Sequence, residues 1–560
     1  MTKVIYTFFI MYVVTSIPIV KGIPKDELTY FSTRAVTVGD VITVAIQSRE
    51  IRAIVTHVQD AKQMKGAVKQ GDFALKKILK VEPGYIPASM IETAREVAKY
   101  YVTSMSKVLG AMYPKNVLAE AERTHAELGA RSLELGEFKI TCIEGKQEDR
   151  FAWIQKNILQ KDRGVLYISP SNHELAKAKK FFESTSITCT SPEYGFVWLP
   201  YVDTIILDHE SGAGYYDRSS AKIDFKKVYE LHAKKNNQQI IFADSVLGLK
   251  YASTQGNLVC SLTPWPKVTV TKKERKVDHT SWLISEEAVK LVKKTLETGG
   301  KMFFFALRKS IASMTICGDC GEVVRCVDCK RSLTLARKNS EQIFICPQCR
   351  GSTSADVKCV YCDSWKLALL GVTVESVADE LEKLFLKAHV LRVSSDVVKT
   401  KTALAKIVKQ FYATQGALLV GTELAIPYLE QPVSCSVISS IDSFLSGRSL
   451  SGTDKAARTI FDVASLATNG VLVETTDPDQ QFFEDICHGG GSTSAMLKMY
   501  RERELTERKK FNYPPYSMII KIGVETYFIK KESWPDAKLV EKIRNLPKSD
   551  SYEIDADRAV

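Results

Sequence analysis

The sequence predicts a multidomain α/β chain: a small β domain, a short helical segment, then two α/β lobes with a metal-binding insert in the second. Three observations carry this. Short β-branched runs fill the first 60 residues, strand-length apolar runs alternate twice with helical stretches, and four Cys-x-x-Cys knuckles interrupt the second alternation. At 560 residues there is chain enough for three or more domains, and 45% hydrophobic with 25% charged residues is ordinary for globular protein.

In chain order, Val4–Val14 reads as a first strand. Its alternative is a signal peptide, but no small-x-small cleavage site follows and the run is too short to span a bilayer. No other stretch is long and apolar enough to cross a membrane. Val41–Ile46 and Ile51–Val58 read as further strands. Residues 61–116 shift to helix: Pro87 stands near a helix start, and Ile91, Ala94, Val97, Ala98 and Tyr101 repeat at helical spacing. A second helix follows from Ser104. The pair suits a winged-helix module or a plain structural subdomain. Phe138–Ile143, Val165–Ser169, Thr204–Leu207 and Gln239–Ala243 then read as strands of a parallel sheet with crossover helices. A basic linker spans Pro264–Lys276. The second lobe reads as helix Ser285–Thr298, strand Met302–Leu307, the cysteine insert, helix Val374–Leu386, and strands Ala417–Val420, Val433–Ile438 and Gly470–Thr475.

The knuckles are Cys317/Cys320, Cys326/Cys329, Cys346/Cys349 and Cys359/Cys362. Zinc favours four thiolates in a tetrahedron, and a two-residue spacer lets both sulfurs of a knuckle face one ion. Five residues between Cys320 and Cys326 make too tight a loop to enclose an ion, whereas the second and third knuckles read C-x2-C-x16-C-x2-C. The predicted sites are therefore Cys326, Cys329, Cys346 and Cys349 around one Zn2+, and Cys317, Cys320, Cys359 and Cys362 around the other. A disulfide cluster is the bland alternative, but such clusters belong mostly to small secreted chains, and the other five cysteines are scattered. Thirteen cysteines, mostly in knuckles, point to a reducing cytoplasm.

The order of parts resembles the replication-restart helicase family, PriA. Gly371-Val-Thr-Val-Glu-Ser-Val-Ala-Asp-Glu-Leu381 is similar to its Gly-x-Gly-Thr-Glu-x-x-x-Glu-Glu-Leu. Glu504-Leu-Thr-Glu-Arg508 with Tyr513-Pro-Pro-Tyr516 is similar to its Glu-Leu-x-x-Arg…Pro-Pro-Phe, and the Tyr100-Tyr101 helix resembles its winged-helix region. The resemblance implies a domain for DNA 3′ ends at 1–60, a winged helix at 61–117, RecA-like helicase lobes at 118–276 and at 277–316 with 363–485, a zinc insert at 317–362 with the same cysteine pairing, and a shortened C-terminal domain at 486–560. It also implies branched or single-stranded DNA, primosome proteins and single-strand-binding proteins as partners, and a cytoplasmic monomer.

Against that pattern the chemistry of the motor is missing. A phosphate-cradling loop needs G-x-x-x-x-G-K-[ST], whose hydroxyl holds magnesium. Here Ile140–Gln147 keeps only the Gly145-Lys146 pair, with Glu144 before it and Gln147 after. The Asp-Glu-x-His box becomes Asp208-His209-Glu210-Ser211, so only Asp208 remains in place. The segment Phe461–Gly470 carries neither arginine of the family's Gln-x-x-Gly-Arg-x-Gly-Arg, although Gly421-Thr422-Glu423 still resembles a helicase motif. The family's Phe-Asp-Tyr element for 3′ ends reads Leu28-Thr29-Tyr30. The eight histidines form no catalytic cluster. A net charge of +12 favours a polyanion, and the candidate phosphate contacts are Lys267, Lys272, Lys273, Arg275 and Lys276 in the linker and Arg325, Lys330, Arg331, Arg337 and Lys338 on the insert. The expectation is a degenerate, DNA-binding replication-restart protein that no longer unwinds or needs ATP. The alternatives are an active divergent 3′–5′ helicase and a zinc-stabilised protein scaffold.

Overall fold

The computed structural model describes residues 11–18, 27–46, 49–60, 75–82, 84–128, 136–159, 164–217, 221–252, 257–260, 267–273, 283–307, 314–317, 319–320, 322, 324–327, 333–338, 341–346, 352–354, 356–370, 372–395, 397–439, 441–445, 450–475, 477–487, 493–523, 525–547 and 551–555. The fold is mixed α/β with two parallel sheets, and the chain divides into two compact units. One is Met1–Ser261 with Leu505–Asp557, the other Leu262–Glu504 with the last three residues.

The first unit opens with a six-stranded sheet of β1 (Tyr12–Pro18), β2 (Leu28–Ser32), β3 (Val41–Ile46), β4 (Arg49–Asp60), β5 (Lys76–Lys77) and β6 (Lys80–Glu82), ordered β5-β2-β1-β4-β3-β6. Val14, Tyr30, Ile42, Val44, Ala53 and Val55 form its core. Two expectations change here. The first strand starts at Tyr12, with residues 4–10 outside those described, and residues 76–82 add strands where helix was expected. Their register is set by longer neighbours, as β6 borders β3. Helices α1 (Ala88–Tyr100), α2 (Met105–Met112) and α3 (Lys115–Leu128) follow. Ser104 ends the α1–α2 turn by accepting from the Lys107 N–H at 3.4 Å.

A parallel sheet comes next: β7 (Lys139–Glu144), β8 (Val165–Ile168), β9 (Ile187–Thr190), β10 (Thr204–Leu207), β11 (Gln239–Asp244) and β12 (Asn257–Cys260), ordered β12-β7-β11-β10-β8-β9. Its interior strands β8 and β10 are wholly buried, which is why they read as unbroken apolar runs. Helices α4 (Gln147–Asn157), α5 (Asn172–Phe181) and α6 (Phe225–Lys235) cross between strands, with Ser171 and Asp224 capping the latter two.

The second unit is built on another parallel sheet. Its strands are β13 (Val268–Lys272), β14 (Met302–Phe305), β20 (His389–Val393), β21 (Ala417–Gly421), β22 (Cys435–Ile438) and β23 (Val471–Thr475), ordered β13-β23-β22-β14-β21-β20. Within it, β15 (Met314–Cys317) pairs with β19 (Leu367–Leu370), and β16 (Thr334–Lys338), β17 (Glu341–Ile345) and β18 (Ser352–Ser354) form a separate antiparallel sheet. Helices α7 (Glu286–Glu297), α8 (Val374–Leu384), α9 (Lys401–Ala413) and α10 (Gly452–Ser465) flank the parallel sheet; a Thr373/Ser376 capping box opens α8. The expected linker at 264–276 is in part the edge strand β13, paired in register with β23 from Val268↔Val471 to Lys272↔Thr475.

Helix α11 (Thr493–Lys510) leads to the last sheet of the first unit, β24 (Ser517–Ile522), β25 (Glu525–Lys530) and β26 (Tyr552–Ile554), with helix α12 (Ala537–Arg544). This segment shares one core with α1, α2 and the first parallel sheet through Met518, Ile520, Ile522 and Ile543. Polar bonds pin it too: the Trp534 indole donates to Tyr100 O at 2.8 Å and the Tyr552 hydroxyl to Val102 O at 2.7 Å. The Arg508 of the Glu-Leu-x-x-Arg stretch is buried and donates to Pro514 O at 3.3 Å, so that motif closes its own turn.

Candidate functional site

The first and fourth cysteine knuckles are brought together by the short β15–β19 ladder, in which Cys317 lies opposite Leu367. Cys317 and Cys362 sulfurs stand 3.4 Å apart, Cys320 and Cys359 sulfurs 3.6 Å, and all four lie within 4.8 Å of one another. A tetrahedron with metal–sulfur bonds of about 2.3 Å has edges of about 3.8 Å, so the quartet has the size of a closed thiolate site. The loops are held from outside: the Ser364 hydroxyl and Lys366 ammonium donate to the two oxygens of Asp319 at 2.6 and 3.0 Å, tying one knuckle to the other. The backbone N–H of Cys320 draws the Cys317 thiol down to about 6, while the neighbouring sulfurs Cys317 and Cys320 outweigh the N–H of Ser364 and push the Cys362 thiol up to about 12. Four crowded thiols cannot all ionise without a cation, which a divalent metal would supply. This cluster could hold a metal ion. Of the other quartet, Cys326 and Cys346 are buried with Leu333 and Phe344, and Cys329 and Cys349 lie outside the described residues.

The second candidate lies where β7, β10 and β11 end. A phosphate cradle needs a loop of free amides between strand and helix. Here residues 139–144 are all sheet, laddered to β11 from Lys139↔Gln239 to Glu144↔Asp244, and α4 starts at Gln147. Only Gly145 and Lys146 separate them. The N–H of Gly145, in a left-handed conformation at φ 136°, points to Asp244 O and Ser245 O, both at 3.1 Å. Lys146 caps α4 with its backbone, its carbonyl accepting from the Arg150 N–H at 3.0 Å.

Asp208 is fully buried and forked by a guanidinium. Arg150 Nε meets Oδ1 at 2.9 Å and Nη2 meets Oδ2 at 3.1 Å, while Nη1 reaches Gly145 O at 2.5 Å and the Tyr167 hydroxyl bonds Oδ2 as well. Burial works to raise the Asp208 carboxyl, and Arg150 and His209 outweigh it and hold it below its ordinary value. The positive charge that compensates the buried Asp208 is thus supplied by Arg150 of the same chain. His209, at φ 50°, faces Glu174 at 3.6 Å and Asp208 at 3.9 Å; burial opposes its proton, but the two carboxylates raise it above the ordinary histidine value. Glu210 is buried in an ion pair with Lys226, which also donates to Glu210 O at 2.8 Å. The Asp244 carboxylate accepts from Ser211 N at 2.9 Å and Ser245 N at 2.7 Å.

The predicted phosphate contacts fare unevenly. Lys267 and Lys272 are exposed. Lys273 is a correction: it is 5% exposed, and its ammonium is bonded to Ser439 O at 2.6 Å and Glu474 at 3.2 Å, because the strand carries it inward beside β23. Arg275, Lys276, Lys330 and Arg331 lie outside the described residues, as do the side chains of Arg337 and Lys338; Arg325 is exposed. Tyr30 packs in the core of the first sheet, and burial raises its phenol. Arg150 was missed from the sequence, although an arginine on the first turn after a Gly-Lys pair, one turn from the strand ends, is the signal that could have found it.

Comparison with known proteins bears on this arrangement. Residues 17–114 match the family model "PriA_3primeBD: 3'DNA-binding domain (3'BD)". The replication restart protein PriA of Bacillus subtilis is 22% identical over 361 residues, covering 62% of this chain and 43% of that protein; its Helicobacter pylori J99 namesake is 21% identical over 542 residues, covering 88% and 83%. The chain spans less than half the length of the Bacillus relative. A hypothetical ATP-dependent RNA helicase from Sulfolobus tokodaii aligns over 71% of this chain and 98% of its own at 11% identity, with a TM-score of 0.22, too slight a likeness to carry an argument.

Proposed function

We propose that the chain belongs to the PriA replication restart family, to which it is similar, and that it binds DNA at stalled or branched forks and supports reloading of the replication machinery without unwinding the duplex itself. The observation that carries the second half is the Arg150 fork on Asp208: a fixed guanidinium fills the place of a metal ion, next to a strand that runs through the residues a phosphate loop would need. The match of residues 17–114 to a 3'DNA-binding domain supports the first half. In this reading the parallel sheets are the cores of two degenerate RecA-like lobes within 118–276 and within 277–316 and 363–485. The β sheet at 1–60 and helices at 61–117 form the DNA-end and winged-helix modules, and 486–560 is a C-terminal DNA-side domain. The insert at 317–362 holds two Zn2+, one at Cys317, Cys320, Cys359 and Cys362 and one at Cys326, Cys329, Cys346 and Cys349. Both are structural, since closed thiolate sites leave no position for substrate. Branched or single-stranded DNA, primosome proteins and single-strand-binding proteins are the partners, and the protein works as a cytoplasmic monomer. Among the described residues no helix is long and apolar enough to cross a membrane.

The test is fork binding by fluorescence anisotropy, with and without ATP and magnesium, on zinc-loaded protein. The same affinity in both conditions is expected. No binding at low salt overturns the DNA half, and an affinity that moves with ATP overturns the other.

A further inference from the structure

On α1, Arg95, Ala98 and Lys99 fall at spacings of three and four, hence on one face; on α12, Ala537, Val540 and Arg544 do so at three and seven. Both faces, with Lys107 from the first turn of α2, line a groove of about 840 Å³ inside the first unit. Its lining mixes the small apolar side chains of Ala98, Ala537 and Val540 with Thr103 and Ser104, and the Tyr552 hydroxyl that borders it is bonded to the backbone at Val102. Its rim carries the side chains of Arg95, Lys99, Lys107 and Arg544, all exposed, against the single carboxylate of Glu27. Glu92, the acidic residue one turn before Arg95, turns instead to Lys235 at 2.6 Å.

Four cations lining one groove, with Glu27 the single carboxylate among its lining residues, cost the fold some repulsion. A polyanion threaded along the trough removes that repulsion and releases its own counterions. Tyr552 is the one aromatic among the groove's lining residues and its hydroxyl is tied to the backbone, so the groove reads chiefly charge along a backbone. Three of the four cations, Arg95, Lys99 and Lys107, lie inside the stretch matched to a 3'DNA-binding domain; the fourth comes from the C-terminal segment, more than 400 residues later in the sequence. We propose that this groove seats the phosphodiester backbone of single-stranded DNA, with the C-terminal helix α12 completing a site that the N-terminal domain begins. The inference rests on the reading that the chain binds DNA, and adds where one strand runs.

The full chain is titrated into fluorescein-labelled dT20 across about 50–200 mM salt, as wild type and as Lys99→Ala/Arg544→Ala. Both residues are exposed, and equal melting curves check the fold; should the pair melt early, Arg95→Gln/Lys107→Gln takes its place. Affinity at about 100 mM salt is expected to fall roughly tenfold, with the slope of log K against log salt shallower by about 0.7 for each contact removed. Unchanged affinity and slope overturn the groove while leaving DNA binding intact. Loss of binding to an oligo-aspartate peptide with dT20 binding retained assigns the groove to acidic peptides and overturns it as well. A wild-type chain that binds no DNA brings down the underlying reading and this one with it.

Discussion

Arg150 decides what the first parallel sheet can do. Its guanidinium is buried with Asp208 and also holds Gly145 O, so it is at once partner, plug and cross-brace. Removing one member of a buried pair leaves the other charge without compensation, at a cost of about 3–5 kcal/mol, whereas replacing both can be nearly neutral. Arg150→Met is therefore expected to lower unfolding stability by that order in urea titrations, and Arg150→Met/Asp208→Leu to recover most of it. A second prediction concerns pH. The Glu174 carboxyl is pushed up by burial but pulled further down by His209, to about 2, and His209 is held above its ordinary value by Asp208 and Glu174. A raised histidine stabilises the fold fully below its unfolded value of about 6.5 and loses that contribution as pH rises through the folded value. His209→Gln should then differ most from wild type near pH 5–6 and converge with it in alkali. The depressed Glu174 behaves oppositely: its contribution is present above about pH 4.3 and fades as pH falls toward 2. Urea midpoints measured across pH 3–9 for His209→Gln and Glu174→Gln check both signs.

At the scale of elements, the knuckles are the part most dependent on what they bind. Strands β15 and β19 are four residues each, so a metal held by the four cysteines would supply much of their ordering; structural zinc is worth about 10–16 kcal/mol in small finger peptides. Cys317→Ser is expected to release about half the bound zinc and increase protease cleavage within 317–370. Cys142→Ser, buried in the parallel sheet, should leave the zinc content unchanged. Most of these elements were legible in the sequence for a physical reason. Strands such as Thr204–Leu207 and Met302–Phe305 are buried on both faces and so appear as unbroken apolar runs. Ser104, Ser171, Asp224 and Ser285 mark helix starts because a side-chain oxygen satisfies an orphan amide. What stayed hidden was set by distant partners. Val268–Lys272 is a strand because β23, some 200 residues later, offers it an edge, and the same pairing buries Lys273. The cysteine spacing pointed to Cys317, Cys320, Cys359 and Cys362, which the fold brings within 4.8 Å of one another, whereas the Arg150–Asp208 clamp joins residues 58 apart and left no periodic trace.

The whole molecule, in the proposed reading, is a DNA-binding body in which the two parallel sheets serve as scaffold and ion pairs occupy the strand ends of the first of them. A net charge of +12 sets the sign of its long-range field. The acidic groups at the strand ends of the first parallel sheet are committed: Asp208 to Arg150, Glu210 to Lys226, Asp244 to two backbone amides and Glu144 to the Leu247 amide. The most direct measurement is ATP turnover by zinc-loaded protein with and without saturating forked DNA, beside Lys146→Ala. The account predicts no fork-stimulated hydrolysis and no difference between wild type and variant. Turnover that rises with forks and disappears on Lys146→Ala would contradict it.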